Sequence, residues 1–232
     1  MAESLTDRGS LLATLGVSLN ASVLEHALTH RSFAYENGGI PHNERLEFLG
    51  DSVLGLSVTQ KLYRENPDLP EGSLAKMRAS VVSTVALAEI ARAIDLGPHL
   101  RLGRGEELTG GREKASILAD TMEALIGAVY LDQGLDVASA LVLRLVEPLL
   151  EDPARFGAAM DPKTSLQEAA AAHHAPAPVY TMESSGPDHD RVFVATVTVG
   201  DLVTAVGQGS SKKHAEMAAA LSAWTELSAR AS

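Results

Sequence analysis

The 232-residue chain contains no cysteine, so disulfides, thiolate zinc sites and cysteine nucleophiles are excluded. Its apolar share of 45% and charged share of 21% are those of a soluble globular protein. The net charge of −11 argues at first sight against nucleic-acid binding. That charge is uneven: residues 1–152 carry 13 Lys+Arg against 22 Asp+Glu, or −9, and residues 153–232 carry 6 against 8, or −2. No stretch reaches the roughly 18 apolar residues of a membrane span. The N-terminus, Met-Ala-Glu-Ser-Leu-Thr-Asp-Arg, lacks the apolar core of a signal peptide. A cytoplasmic protein with no membrane partner is the expectation.

In chain order, Leu11, Leu12 and Leu15, then Val23, Leu24, Ala27 and Leu28, have the spacing of short helices. Thr29-His30-Arg31-Ser32 follows, then a Gly-rich loop. His30, at a helix end, reads more readily as a hydrogen-bonded structural residue than as a ligand or base.

Residues 43–58 organise the rest. Leu46, Phe48, Leu49, Val53, Leu54, Leu56 and Val58 fall on every side of a 3.6-residue period, which predicts a helix buried all round. Yet Glu44, Glu47 and Asp51, spaced three and four apart, share one face of it. Gly55 on that face leaves room for a close neighbour. Burying like-charged carboxylates together is costly without a compensating cation.

After the Pro67 and Pro70 break, one helix is expected over about 73–92 with Ser73 as its cap. Glu71 beside it reads by itself as a helix-dipole acid. Residues 101–113 form a Gly-rich connection with no preceding strand, hence no nucleotide fingerprint.

A second acidic helix spans 114–131. Leu118, Met122, Leu125 and Val129 make its apolar stripe, and Asp120 and Glu123 lie on a neighbouring face beside Ala124 and Gly127. Packed against the first, it would pool five carboxylates, a donor set for Mg²⁺ or Mn²⁺. The alternative is ion pairing with Arg45, Lys76, Arg78 or Lys114. A further helix runs over about 134–150.

Residues 153–161 read as a linker between a front domain, 1–152, and a rear domain, 162–232. The rear pattern is a helix, three antiparallel strands with Phe193, Ala195, Val197 and Val199 alternating, and a last helix from Ser211. The fold class is therefore an all-α front domain joined to an α+β rear domain of order α-β-β-β-α. Lys212 and Lys213 open the last helix, where backbone N–H groups already favour phosphate.

The run Asn43-Glu44-Arg45-Leu46-Glu47-Phe48-Leu49-Gly50-Asp51-Ser52 resembles the signature of bacterial ribonuclease III. Leu118-Ala119-Asp120-Thr121-Met122-Glu123-Ala124-Leu125-Ile126-Gly127 resembles that family's second segment. Ser165-Leu166-Gln167-Glu168, Gly186-Pro187-Asp188-His189-Asp190 and Gly209-Ser210-Ser211-Lys212-Lys213-His214-Ala215-Glu216 resemble its double-stranded-RNA-binding domain. The resemblance implies a Mg²⁺-dependent endonuclease, with Mn²⁺ a substitute, and no small-molecule cofactor. It would cut double-stranded RNA to 5′-phosphate and 3′-hydroxyl ends with short 3′ overhangs, in the processing of ribosomal RNA precursors and other structured transcripts. Carried onto this sequence, Glu47, Asp51, Asp120 and Glu123 would be metal ligands. Catalytic roles would fall on Asp51 and Glu123, with Glu44 and Glu71 assisting, and Phe48 would enter the other subunit of a homodimer. Gln167, Glu168 and His189 would read the minor groove of the RNA, and Ser211, Lys212 and Lys213 its phosphates. A non-cleaving double-stranded-RNA-binding regulator is the alternative. A di-iron helical protein is disfavoured, because neither acidic helix has a Glu-x-x-His pair.

Overall fold

The computed structural model describes residues 8–150, 158, 161–187 and 191–231. The chain separates into two compact units, residues 1–153 and 154–232.

In the first unit every described element is helical. Short helices α1 (Arg8–Leu15), α2 (Ala21–Leu28) and α3 (Arg31–Glu36) lead into the long α4 (Glu44–Glu65). Helices α5 (Glu71–Val81), α6 (Thr84–Ala93) and α7 (Arg104–Leu108) follow, then α8 (Ala115–Gln133) and α9 (Leu135–Leu150). Helix α8 is the centre, with eleven buried residues between Ile117 and Val129. Leu118, Met122, Leu125 and Ile126 are almost wholly buried there, alongside Leu28, Leu54, Leu87 and Leu141 from four other helices. Each such side chain contributes roughly 1.5–3 kcal/mol of transfer free energy.

Helices α4 and α8 meet backbone to backbone. A Cβ on Gly50 would lie 1.8 Å from the Glu123 carbonyl oxygen, and one on Gly127 would lie 2.2 Å from that of Leu46. Only glycine fits at either crossing. Gly55, expected to serve this purpose, has open space where its Cβ would be. Gly55 lies about 140° round the helix from Gly50, so the glycine expected at the crossing is on a different face.

Three further expectations need correction. Helix α4 is not buried all round: Leu46, Gly50, Val53, Leu54, Ser57, Val58 and Leu62 face the core, while Phe48, Leu56 and Tyr63 stand exposed on another side. The single helix expected over 73–92 is two. It stops at Val82, and Ser83, with extended backbone, caps α6 by accepting from the Ala86 N–H. No Gly or Pro marks this break, so propensity gave no warning. The first of the two begins at Glu71, with Pro70 rather than Ser73 as its cap residue. The Gly-rich connection also holds structure, in α7 and a 3-10 turn over Gly111–Glu113.

The second unit runs α10 (Pro162–Ala172), β1 (Val179–Ser185), β2 (Val192–Val199), β3 (Val203–Gly209) and α11 (Lys212–Ala231). The strands form one antiparallel sheet in the order β1-β2-β3, with Thr181 opposite Thr196 and Thr196 opposite Val206. Alternation sends Ala195, Val197, Val199, Val203 and Ala205 to one face, where Leu166, Ala215, Ala219, Ala223 and Leu227 of the two helices complete the core. Lys163 pairs with Glu216 at 2.7 Å, tying α10 to α11.

Candidate active site

The glycine crossing fixes the chemistry beside it. Glu47 on α4 and Asp120 and Glu123 on α8 each offer a carboxylate oxygen within 4.8 Å of the other two, and all three are half-buried. Their proximity carries a clear electrostatic cost. Burial, with Asp51, Asp120 and Glu47 nearby, pushes the Glu123 carboxyl up to about 8. Burial also raises Glu47, helped by Asp120 and Glu44 and opposed by Arg31. Asp120 is raised by burial as well, again against the pull of Arg31.

A cation held among these carboxylates would relieve that cost. Three nearby bases are engaged elsewhere. Lys114 bonds Glu106 and Thr109, Arg78 bonds the Thr59 hydroxyl, and Arg31 pairs with Glu44 at 3.3 Å. Three convergent carboxylates with only oxygen donors fit a hard divalent cation.

A cleft of about 410 Å³ opens at this cluster. Glu44, Glu47 and Asp120 line it together with His30, Arg31 and Lys114, while Glu123 is not among its lining residues. Backbone bonds hold the α2–α3 junction in place. Arg101 N–H donates to Leu28, His30 N–H to Arg101, and Asn43 N–H to Thr29. His30 caps α3: its Nδ1 accepts from the Ser32 N–H, so its proton sits on Nε2, and burial lowers its pKa. That is the structural role expected of it.

The remaining predicted residues divide. Asp51 is exposed, close enough that its charge raises Glu123. Glu44 is exposed and paired with Arg31. Glu71 lines a separate cavity of about 200 Å³ with Thr59, Tyr63 and Arg78, which shares no residue with the cleft. Phe48 is 79% exposed. In the second unit, Gln167 and Glu168 are exposed on α10, Lys212 and Lys213 are exposed at the start of α11, and the Ser211 hydroxyl accepts from the His214 N–H. His189 lies outside the described residues.

Sequence reasoning missed Arg31 and Asn43 in the cleft. Asn43 is buried and its amide donates to the Thr121 hydroxyl at 3.5 Å, bridging α4 and α8. Its place immediately before an acidic buried helix was the available signal.

Comparison with known proteins agrees with this arrangement. Residues 20–149 match the family model described as ribonuclease-III-like, and residues 162–227 match the double-stranded RNA binding motif. Ribonuclease 3 of Leifsonia xyli is 72% identical over 96% of this chain and 94% of its own length. Ribonuclease 3 of Streptomyces coelicolor is 60% identical over 94% of this chain and 79% of its own length. The nuclease domain of ribonuclease III from Campylobacter jejuni has 40% identity and a TM-score of 0.58, covering 62% of this chain and 95% of that one. A second structure of that domain concerns a region involved in its dimer formation, with 41% identity, a TM-score of 0.57, and coverage of 60% and 95%. The chain belongs to the ribonuclease III family: it is a double-stranded-RNA endoribonuclease, with its nuclease domain first and its RNA-binding domain second.

Proposed function

We propose that this endoribonuclease works in the cytoplasm as a Mg²⁺-dependent homodimer, with Mn²⁺ as a substitute, and processes ribosomal RNA precursors and other structured transcripts. The observation that carries the metal requirement is the convergence of Glu47, Asp120 and Glu123, while Arg31 and Lys114 of the cleft pair with other acids. Asp51 joins them as the fourth ligand. A bound divalent cation supplies positive charge to the reacting phosphate and makes water acidic enough to attack near neutral pH.

The chain's own residues do the rest. Glu47, Asp120 and Glu123 are held half-buried by the α4–α8 crossing, so little reorganisation is needed at the moment of reaction. Glu44 assists at the cleft wall. Glu71 assists as well; within one chain it lines a separate cavity. The exposed Phe48, Leu56 and Tyr63 on α4 support a dimer, Phe48 being the residue that enters the other subunit. In the RNA-binding unit, Gln167, Glu168 and His189 read the minor groove, while Ser211, Lys212 and Lys213 hold phosphates. The working parts are a nuclease domain over 1–152, a linker over 153–161 and an RNA-binding domain over 162–232. Products are 5′-phosphate and 3′-hydroxyl ends with short 3′ overhangs.

The test is incubation of the protein with a long RNA duplex, with and without Mg²⁺, beside matched single-stranded RNA and DNA duplex. Cutting of the RNA duplex alone, only with metal, is expected. Full cutting in a chelator would overturn the metal assignment.

A further inference from the structure

The metal-dependent mechanism makes no use of Arg31, a cation of the cleft. Arg31 lines the cleft with Glu47 and Asp120, and its charge partly offsets the rise that burial imposes on both carboxyls. Its guanidinium is 70% exposed and pairs with a Glu44 carboxylate that is 46% exposed. Exposed pairs of this kind are weak, so either partner can be exchanged. The backbone beneath it is fixed. His30 caps α3, the Ser32 hydroxyl accepts from the Gly103 N–H, and Glu36 accepts from the Arg104 N–H. One turn along the same face of α3 stands Tyr35, 88% exposed.

We propose that Arg31 leaves Glu44 for a backbone phosphate of the RNA strand being cut, next to the scissile phosphate, with Tyr35 extending the contact along that strand. The proposal rests on the nuclease reading and adds to it a substrate contact within the nuclease domain. The need is electrostatic. Residues 1–152 carry nine more acids than bases, and the metal cluster lies among them. A polyanion approaching that cleft needs a local cation, and an arginine can grip a phosphate through two N–H groups at once. Lys114, also at the cleft, is engaged by Glu106 and Thr109. Arg31 is the more exposed of the two.

The experiment is a coupling cycle on the full chain. Wild type and Arg31→Gln are compared in single-turnover cleavage at saturating Mg²⁺. Substrates are one RNA duplex and a set in which a single phosphate flanking the scissile bond is replaced by an uncharged methylphosphonate. Arg31→Gln is expected to slow cleavage of the unmodified duplex about tenfold, the size of a missing charge-assisted hydrogen bond. One methylphosphonate position should slow wild type by a like factor, and there the variant should lose nothing more. Losses that multiply at every position, or an Arg31→Gln that cuts at the wild-type rate, overturn the proposal. Mn²⁺ binding without RNA, read by electron paramagnetic resonance, separates contact from structure. Removing a nearby cation should leave Mn²⁺ affinity equal or higher, and a tenfold weaker site would place the effect in the carboxylate cluster and overturn the proposal. Tyr35→Ala should cost about threefold, with the same metal affinity. Failure of the nuclease reading would appear in the wild-type arm on unmodified duplex, and failure of this proposal only in the variant arms.

Discussion

The two units carry their proposed working residues in opposite places. The nuclease unit buries part of its chemistry between α4 and α8, where Glu47, Asp120 and Glu123 repel one another and resist ionising. The RNA-binding unit keeps its predicted contacts outside. Gln167, Glu168, Lys212 and Lys213 are exposed, over a core of Leu166, Val197, Ala215, Ala219 and Leu227 that is wholly apolar. Chemistry in the first unit is therefore coupled to stability and to pH. Binding in the second, through exposed side chains, is expected to depend chiefly on salt. One unit needs desolvation, because charges act strongly only where water is scarce. The other needs reach, because phosphates lie at the surface of the duplex.

The strongest way to break this contrast is at the glycine crossing. Gly50→Val or Gly127→Val forces the backbones of α4 and α8 apart. The expected cost is about 3 kcal/mol or more, since overpacking here meets main chain and not a movable side chain. Thermal unfolding should show it, and metal binding should fall with it. Gly55→Ala, at open space inside the same helix, should instead stabilise by roughly 0.5–1 kcal/mol.

Glu123→Gln separates activity from stability. Cleavage should fall by at least ~10³-fold, the scale of losing a group that holds a metal charge at the reacting centre. RNA binding should be unchanged. In metal-free protein at pH 8 the variant should melt a few degrees higher than wild type, because a repelled carboxylate has been replaced by a neutral amide.

The pH profile sharpens the same point. The Glu123 carboxyl has a folded-state pKa near 8 against an ordinary value of 4.5, so the folded protein binds the extra proton between those limits. Its contribution to stability is complete below pH 4.5 and is lost as pH rises toward 8. Metal-free wild type should therefore lose melting temperature across that window. Saturating Mg²⁺ should remove the loss, since a cation bound only by the folded state stabilises it. Chemical denaturation at three pH values, with and without Mg²⁺, would check the sign.

The smallest effects belong to the second unit. Lys212→Ala with Lys213→Ala should weaken duplex binding evenly across sequences and reduce the salt slope by about 2, one for each phosphate that no longer has its lysine. The cleavage rate at saturating RNA and the melting temperature should stay near wild type. A large change in either would mean that these lysines do more than hold phosphates.

How much was legible in the sequence follows the same divide. The strand alternation of Phe193 to Val199 and the helix order of the rear domain were plain, because a sheet with one buried face writes its period directly into the chain. The acidic faces were legible too, since spacings of three and four residues place Glu44, Glu47, Asp120 and Glu123 without any tertiary knowledge. What escaped was tertiary. Which glycine meets the partner helix depends on the crossing point, so Gly55 was mistaken for Gly50. The break at Val82–Ser83 is set by packing and a serine cap, with no Pro or Gly to mark it. Phe48 and Leu56 looked like core because periodicity alone cannot tell an exposed apolar face from a buried one. Arg31 escaped because a lone exposed arginine carries no pattern. Only the folded cleft sets it beside Glu47 and Asp120.

The most direct test of the central claim is a melting comparison of wild type and Glu123→Gln at pH 8, each with and without Mg²⁺. If the convergent carboxylates are a metal site held at the cost of stability, the order must cross. The variant melts higher without metal, and wild type gains and overtakes it with Mg²⁺. If Glu123→Gln melts lower in both conditions and Mg²⁺ moves neither protein, the cluster is an ordinary polar patch and the account of the active site is wrong.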